Sequence, residues 1–422
     1  SSWSGWANYT SGTTIPTTGL TAVEIHTQRL STHCDSSEFV TINWVVEQTP
    51  VSGTLAKSPD ATTVCEGSDV LAILSAGSGG NGLDSLVYRT NNGSSWSDWM
   101  NYSSGDNIST TGKTGVEILT LRQADHCGDA SAETVSWNVD PTSVGGSVSG
   151  TTDITYGSST GDLTLTGHTG SVVKWQKKLN FNGNWVDVAN TSDVYSEYPS
   201  SPGTWYYRAQ VQSGVCSEEY SQEHAVNVGI KELTIGGSFT ANDKIYDDNT
   251  DATFDQNNLT LEGIVGSDDV SLTGLEIDFA AKTVGEHTVS ITAALLDGAD
   301  KDNYTLSLTG SPETTATIDA GPPVKFLVTN PDGDDISSPK LHNIPFDVKV
   351  TLVDAYDNPT PNTGGIVTVT LTGSGGATPG ELRFQGLPSD PVTMTLPSGD
   401  TLLKFNNVLY TGVSDIAGFD VK

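Results

Sequence analysis

Residues 94–127 read SSWSDWMNYSSGDNISTTGKTGVEILTLRQADHC, and residues 1–34 read SSWSGWANYTSGTTIPTTGLTAVEIHTQRLSTHC. The two stretches align without a gap at an offset of 93 residues. Within the second copy, Val116–Arg122 (VEILTLR) alternates apolar and polar side chains. That is the period of a strand with one buried and one wet face. Self-similarity at a fixed spacing makes each unit a module of its own. The match continues through Trp44 and Trp137 to Gly53 and Gly146. Residues 1–48 therefore read as the C-terminal half of a repeat, and residues 49–141 as a complete one.

Outward from this pair, residues 142–229 read as a diverged third repeat. FNGNW, ending at Trp185, stands where NGSSW ends at Trp96, and WYYRAQVQSGVC (205–216) stands where LTLRQADHC (119–127) does. Near Gly229 the style changes: Cys and Trp vanish and Asp-rich turns appear, giving a module over 230–320. Gly321-Pro322-Pro323 then introduces a last module over 321–422, starting with the strand VKFLV. Further alternating runs are HTVSITA (287–293), FDVKVTLVD (346–354) and IVTVTLT (366–372). Short strands with turn signals between them, in units of about 90 residues, predict an all-β fold. The expected architecture is a tandem array of immunoglobulin-like antiparallel β-sandwiches, extended because the boundaries are short.

Composition narrows the function classes. Of 422 residues, 35% are hydrophobic and 17% charged, with 45 Gly and 18 Pro. This excludes a helical bundle or coiled coil, and no apolar run approaches the 18 residues of a membrane-spanning helix. The net charge of −32 repels phosphate backbones, so nucleic acid is a poor partner. Four Cys without C-x-x-C spacing favour disulfides over a zinc framework. Ser1 opens with neither a charged nor an apolar leader region, so the expectation is an interior piece of a longer exported protein.

VCEGSD, YRTNNGSSWSDW, TTGKTGVEILTLRQADHC and VSWNVDP, closing on a fresh VGGSVSG, resemble the tandem Ig-like repeats of giant Bacteroidota surface proteins. Gliding-motility adhesins exported by the type IX secretion system are among these. KIYDDNTDAT (244–253), GIVGSDDVSLTG (263–274) and KTVGEHTV (282–289) resemble the YDG-type repeat of bacterial adhesins, with Asp248 where that pattern usually has Gly. VKVTLVDAYDNPTP (348–361) resembles a strand and turn of invasin-like bacterial Ig domains. The resemblance implies a non-enzymatic stalk segment of an extracellular, outer-membrane-attached adhesin. Its partners would be other repeats of the same long chain and the anchoring or secretion machinery.

Cys65 and Cys127 lie on what read as facing strands of one repeat, so they are the expected disulfide, with Cys34 and Cys216 free. His33-Cys34 and His126-Cys127 invite a thiolate–imidazole reading, but neighbours on a strand point to opposite faces, and no catalytic residue is assigned. Trp3, Trp6, Trp96 and Trp99 would suit a sugar-stacking platform. Against that, a spacing of three puts strand neighbours on opposite faces, so at least one ring of each pair is expected in the core. Asp332, Asp334 and Asp335 offer hard oxygen ligands of the type Ca²⁺ takes, although aspartate is equally an ordinary turn former. The competing functions are a polysaccharide-binding module, or an accessory region of a secreted hydrolase.

Overall fold

The computed structural model describes residues 2–334, 336, 344–374, 382–384, 387–388, 391–411 and 418–421. Apart from one 3₁₀ turn at Lys301–Asn303, regular structure among the described residues is β-strand. The chain divides into two compact units, Ser1–Gly229 and Ile230–Lys422.

The first unit holds three modules. In repeat 1, β1 (Ala22–Thr27) pairs antiparallel with β2 (Val40–Val45). Repeat 2 contains β3 (Thr54–Ser58), β4 (Thr63–Cys65), β5 (Asp69–Ser75), β6 (Asp84–Asn91), β7 (Met100–Asn101), β8 (Ile108–Ser109), β9 (Gly115–Arg122) and β10 (Glu133–Asp140). One sheet runs β4-β10-β9-β6-β7 and the other β3-β5-β8. Alternation along β9 places Val116, Ile118 and Thr120 inward, where the first two meet Val70, Ala72 and Trp137 between the sheets. The indole N–H of Trp137 donates to the Pro59 carbonyl at 3.0 Å, so the ring is buried without an orphaned donor.

Repeat 3 contains β11 (Ser147–Ser149), β12 (Asp153–Thr155), β13 (Leu163–Thr166), β14 (Ser171–Leu179), β15 (Val186–Val188), β16 (Val194–Tyr195), β17 (Gly203–Gln212), β18 (Glu219–Tyr220) and β19 (His224–Gly229). Its larger sheet runs β12-β19-β17-β14-β15, the layout of repeat 2 strand for strand, with β18 added on β17. Trp175 is fully buried; Tyr195 stands 5.5 Å from it and 6.1 Å from Tyr207, completing an aromatic core.

The second unit holds two more two-sheet modules. In the first, a three-stranded and a four-stranded sheet enclose Ile235, Phe239, Ile277, Phe279, Val289 and Ile318. In the second, five-stranded and three-stranded sheets enclose Val348, Val350, Val369, Leu371, Leu396 and Phe405. Gly321, at the boundary expected from the Gly-Pro-Pro sequence, is fixed by hydrogen bonds. Its N–H donates to the buried Asp354 carboxylate at 2.9 Å, and its carbonyl accepts from the Thr360 hydroxyl at 2.9 Å.

Candidate functional site: stacked tryptophans and a repeat junction

Trp96 and Trp99 do not take opposite faces. The Arg89 guanidinium lies over both rings, 4.7 Å from the centroid of Trp96 and 4.5 Å from that of Trp99. The two-residue alternation fails because Trp96 makes only an isolated bridge to Asn91 and residues 97–99 are irregular chain before β7. Arg89 on β6 faces Glu117 on β9 in register and donates to its carboxylate at 2.7 Å, which orients the guanidinium plane. Repeat 3 keeps the device with the cation moved to the neighbouring strand. Arg208 on β17 donates to Gln176 on β14 at 2.8 Å and lies 4.1 Å from Trp185 and 3.9 Å from Tyr220. In repeat 1, Trp3 and Trp6 remain exposed, and Trp6 lies against His26 with ring centroids 4.0 Å apart and the rings tilted by 47°.

The junction between repeats 2 and 3 is covalent. Cys65 is bonded to Cys216, whereas Cys34 and Cys127 are free and exposed. This corrects the expected Cys65–Cys127 pair and the expectation that Cys216 is free. The strands expected to face each other share one sheet, with β10 between β4 and β9, and Cys127 lies in a bend beyond the end of β9 at Arg122. The turn after β17 carries Cys216 onto the end of the preceding repeat. There the Asp140 carboxylate accepts the Val215 N–H at 3.0 Å, and the Cys216 sulfur lies 3.3 Å from the Pro141 carbonyl oxygen. Gly214 has φ +49°, and a Cβ there would stand 1.7 Å from the Asp140 carboxylate, so the close approach requires glycine.

Repeats 1 and 2 meet at an equivalent carboxylate, without the disulfide. Glu47 stands 93 residues before Asp140. Its carboxylate accepts the N–H of Asp125 at 2.8 Å and of His126 at 2.7 Å, and the Cys127 sulfur lies 3.8 Å from its carbonyl oxygen. The Asp125 N–H foremost holds the Glu47 carboxyl below the usual carboxylate range, against the opposing effect of burial. The His126 ring is 3.6 Å from the same carboxylate, so it serves the junction.

Among the described residues no group of three His, Cys, Asp or Glu side chains is placed to hold a metal ion. Asp332 and Asp334 are exposed in a turn, and Asp335 lies outside the described residues. An open cleft of about 370 Å³ in repeat 2 is lined by Tyr88, Met100, Tyr102, Asp106 and Lys113, among others.

Residues 230–316 match the YDG domain family, and residues 144–229 match a family described as a domain of unknown function, DUF8696. No curated protein matches the chain. Among solved structures, an I-band fragment from titin is similar at 8% identity and a TM-score of 0.34, over 64% of this chain and 99% of that one. A 1.5-MDa bacterial ice-binding adhesin is similar at 10% identity and a TM-score of 0.26, over 74% and 95%. Murine CEACAM1b is similar at 13% identity and a TM-score of 0.24, over 42% and 100%.

Within the YDG match, the departure at Asp248 has a physical account. Asp248 adopts φ +67°, the left-handed region that glycine enters freely and aspartate tolerates better than most residues. Its carboxylate accepts from Lys282 at 2.6 Å and from the Tyr246 hydroxyl at 3.2 Å.

Proposed function

We propose that this chain is a non-enzymatic structural segment of a cell-surface adhesin, in which successive Ig-like modules carry tension between an anchor and a distal contact. The observation that carries this reading is the Cys65–Cys216 bond, which ties one sandwich to the next where force along the chain would separate them. A disulfide of this kind fits an oxidising, extracellular location, and the YDG match agrees with a surface-protein setting. In its finer form, the parent is a Bacteroidota adhesin of the gliding-motility type, exported by type IX secretion and attached to the outer membrane. Its other partners are further repeats of the same long chain.

Stretching single molecules from their termini tests the tension-bearing role. The bond shields the chain between the two cysteines, which are 151 positions apart, and at ~3.3–3.6 Å per residue that chain adds about 500 Å of extension only after reduction. Equal extension before and after reduction overturns the reading. Retention of the chain on a glycan array, lost on substituting Trp3 and Trp6, would replace it with a polysaccharide-binding module.

A further inference from the structure

Repeat 1 presents a sheet whose counterpart in repeat 2 is covered. The β1–β2 register is that of β9–β10 shifted by 93 residues, Val40↔Thr27 matching Glu133↔Thr120. The Val46 N–H donates to Thr21 at 3.0 Å, as Val139 donates to Thr114 at 3.0 Å. The surroundings differ sharply: Trp137 is 1% exposed and its equivalent Trp44 is 47% exposed. The core that holds Trp137 includes Tyr102 and Ile108, whose equivalents are present in repeat 1, and, from residues 51–91, Val64, Val70 and Ala72 with Leu55 and Leu86 beside them. On the other side of β10, β4 pairs in parallel, placing Cys65 opposite Asp140. Asp140 corresponds to Glu47, against which Cys127 lies unbonded.

We infer that the open face and edge of β2 are the seat of the front half of an equivalent repeat, and that this segment's cysteine, in the place of Cys65, bonds Cys127. The inference does not rest on the adhesin reading. It rests on a junction that occurs twice in this molecule and is complete once. Repeat 3 supplies the finished version: an equivalent chain reversal, the equivalent carboxylate Asp140 accepting the N–H of Val215, and the cysteine bonded to Cys65 at the end of β4 of the repeat before it. Chemically, two thiols lose two protons and two electrons to form the bond. A disulfide oxidant such as oxidised glutathione takes up the electrons and becomes two thiols. Each repeat is thus stapled to the next, and Cys34 is positioned to bond a repeat one step further up the array.

The test places a second copy of residues 51–93 directly before Ser1 of the full chain, folds it in a glutathione redox buffer and maps the disulfides after alkylation. The expected map joins the added cysteine to Cys127, keeps Cys65–Cys216, and leaves Cys34 alone alkylated. Replacing the added cysteine with Ser should free Cys127 while Trp44 stays shielded from quenchers. An added cysteine bonded to Cys34, or Cys127 alkylated in molecules that retain Cys65–Cys216, overturns the inference. A second arm needs no refolding: the intact chain is offered a peptide of residues 54–68 activated as a mixed disulfide. Docking beside β2 should load Cys127 at least tenfold faster than Cys34, whose thiol is also exposed, because docking raises the local peptide concentration. Equal loading of the two also overturns it.

Discussion

Cys65 and Cys216 are bonded across 151 residues of sequence, and the bond joins successive repeats. On the loop-entropy model a closed loop of that length stabilises by about 5 kcal/mol, an upper figure because native strain and residual unfolded structure reduce it. Cys65→Ser and Cys216→Ser should therefore lower the urea midpoint of the first unit by similar amounts, read by Trp fluorescence, since all nine Trp precede residue 230. Alkylation without reduction should label Cys34 and Cys127 and spare the other two. An unchanged midpoint in both variants would show that the bond is not formed.

Arg89 between Trp96 and Trp99 gives a second expectation. Each exposed cation–π contact contributes about 0.5–1 kcal/mol, so Arg89→Ala should destabilise repeat 2 by roughly 1–2 kcal/mol, and Arg89→Lys by less. Collisional quenching of Trp96 and Trp99 should rise in the Ala variant alone. A rise in neither variant would place the guanidinium elsewhere.

The two equivalent tryptophans should respond differently to truncation. Trp137→Ala removes a buried ring and should cost about 3–5 kcal/mol, whereas Trp44→Ala should change stability by less than about 0.5 kcal/mol. Comparable losses would mean that Trp44 is covered in solution.

Asp354 makes the last module sensitive to acid. Burial raises its carboxyl, but the Asn358 amide and the N–H groups of Gly321, Asn358 and Tyr356 outweigh burial and hold it below the usual carboxylate range. A folded value below the unfolded one means its contribution is fully present above about pH 4 and is lost as pH falls through the folded value. Asp354→Ala should cost about 3 kcal/mol at neutral pH by removing several charge-assisted hydrogen bonds. That loss should shrink toward pH 2 in calorimetry. A penalty independent of pH would assign Asp354 a packing role only.

At Asp248 the left-handed backbone sets an order among variants. Asp248→Gly should unfold at higher denaturant than Asp248→Ala, since both lose the bond to Lys282 and Ala alone also pays for the left-handed backbone. The reverse order would mean that φ at this position does not limit which residue it accepts.

Period-two alternation was enough to read the strands, because side-chain burial in a sandwich follows directly from sequence parity. VEILTLR (116–122) falls within β9, and FDVKVTLVD (346–354) contains the strand Phe346–Val353. Parity failed where chain left the sheet: at Trp96–Trp99, both rings turn to one guanidinium because irregular backbone does not alternate. The sequence did carry a signal for that stack in the repeated W-S-x-W and in Arg89 seven residues before Trp96, although its spacing alone does not identify the partner.

The amino-acid sequence by itself determined the β-sandwich class, the 93-residue repeat and the strands that build each core, since hydrophobic periodicity and turn residues act within a few positions of one another. Only the tertiary structure decided which cysteines meet. A disulfide needs two sulfurs brought together by the turn after β17 and the end of β4, and the repeat alignment, blind to contacts between neighbouring modules, pointed inward to Cys127 when the bond runs onward to Cys216.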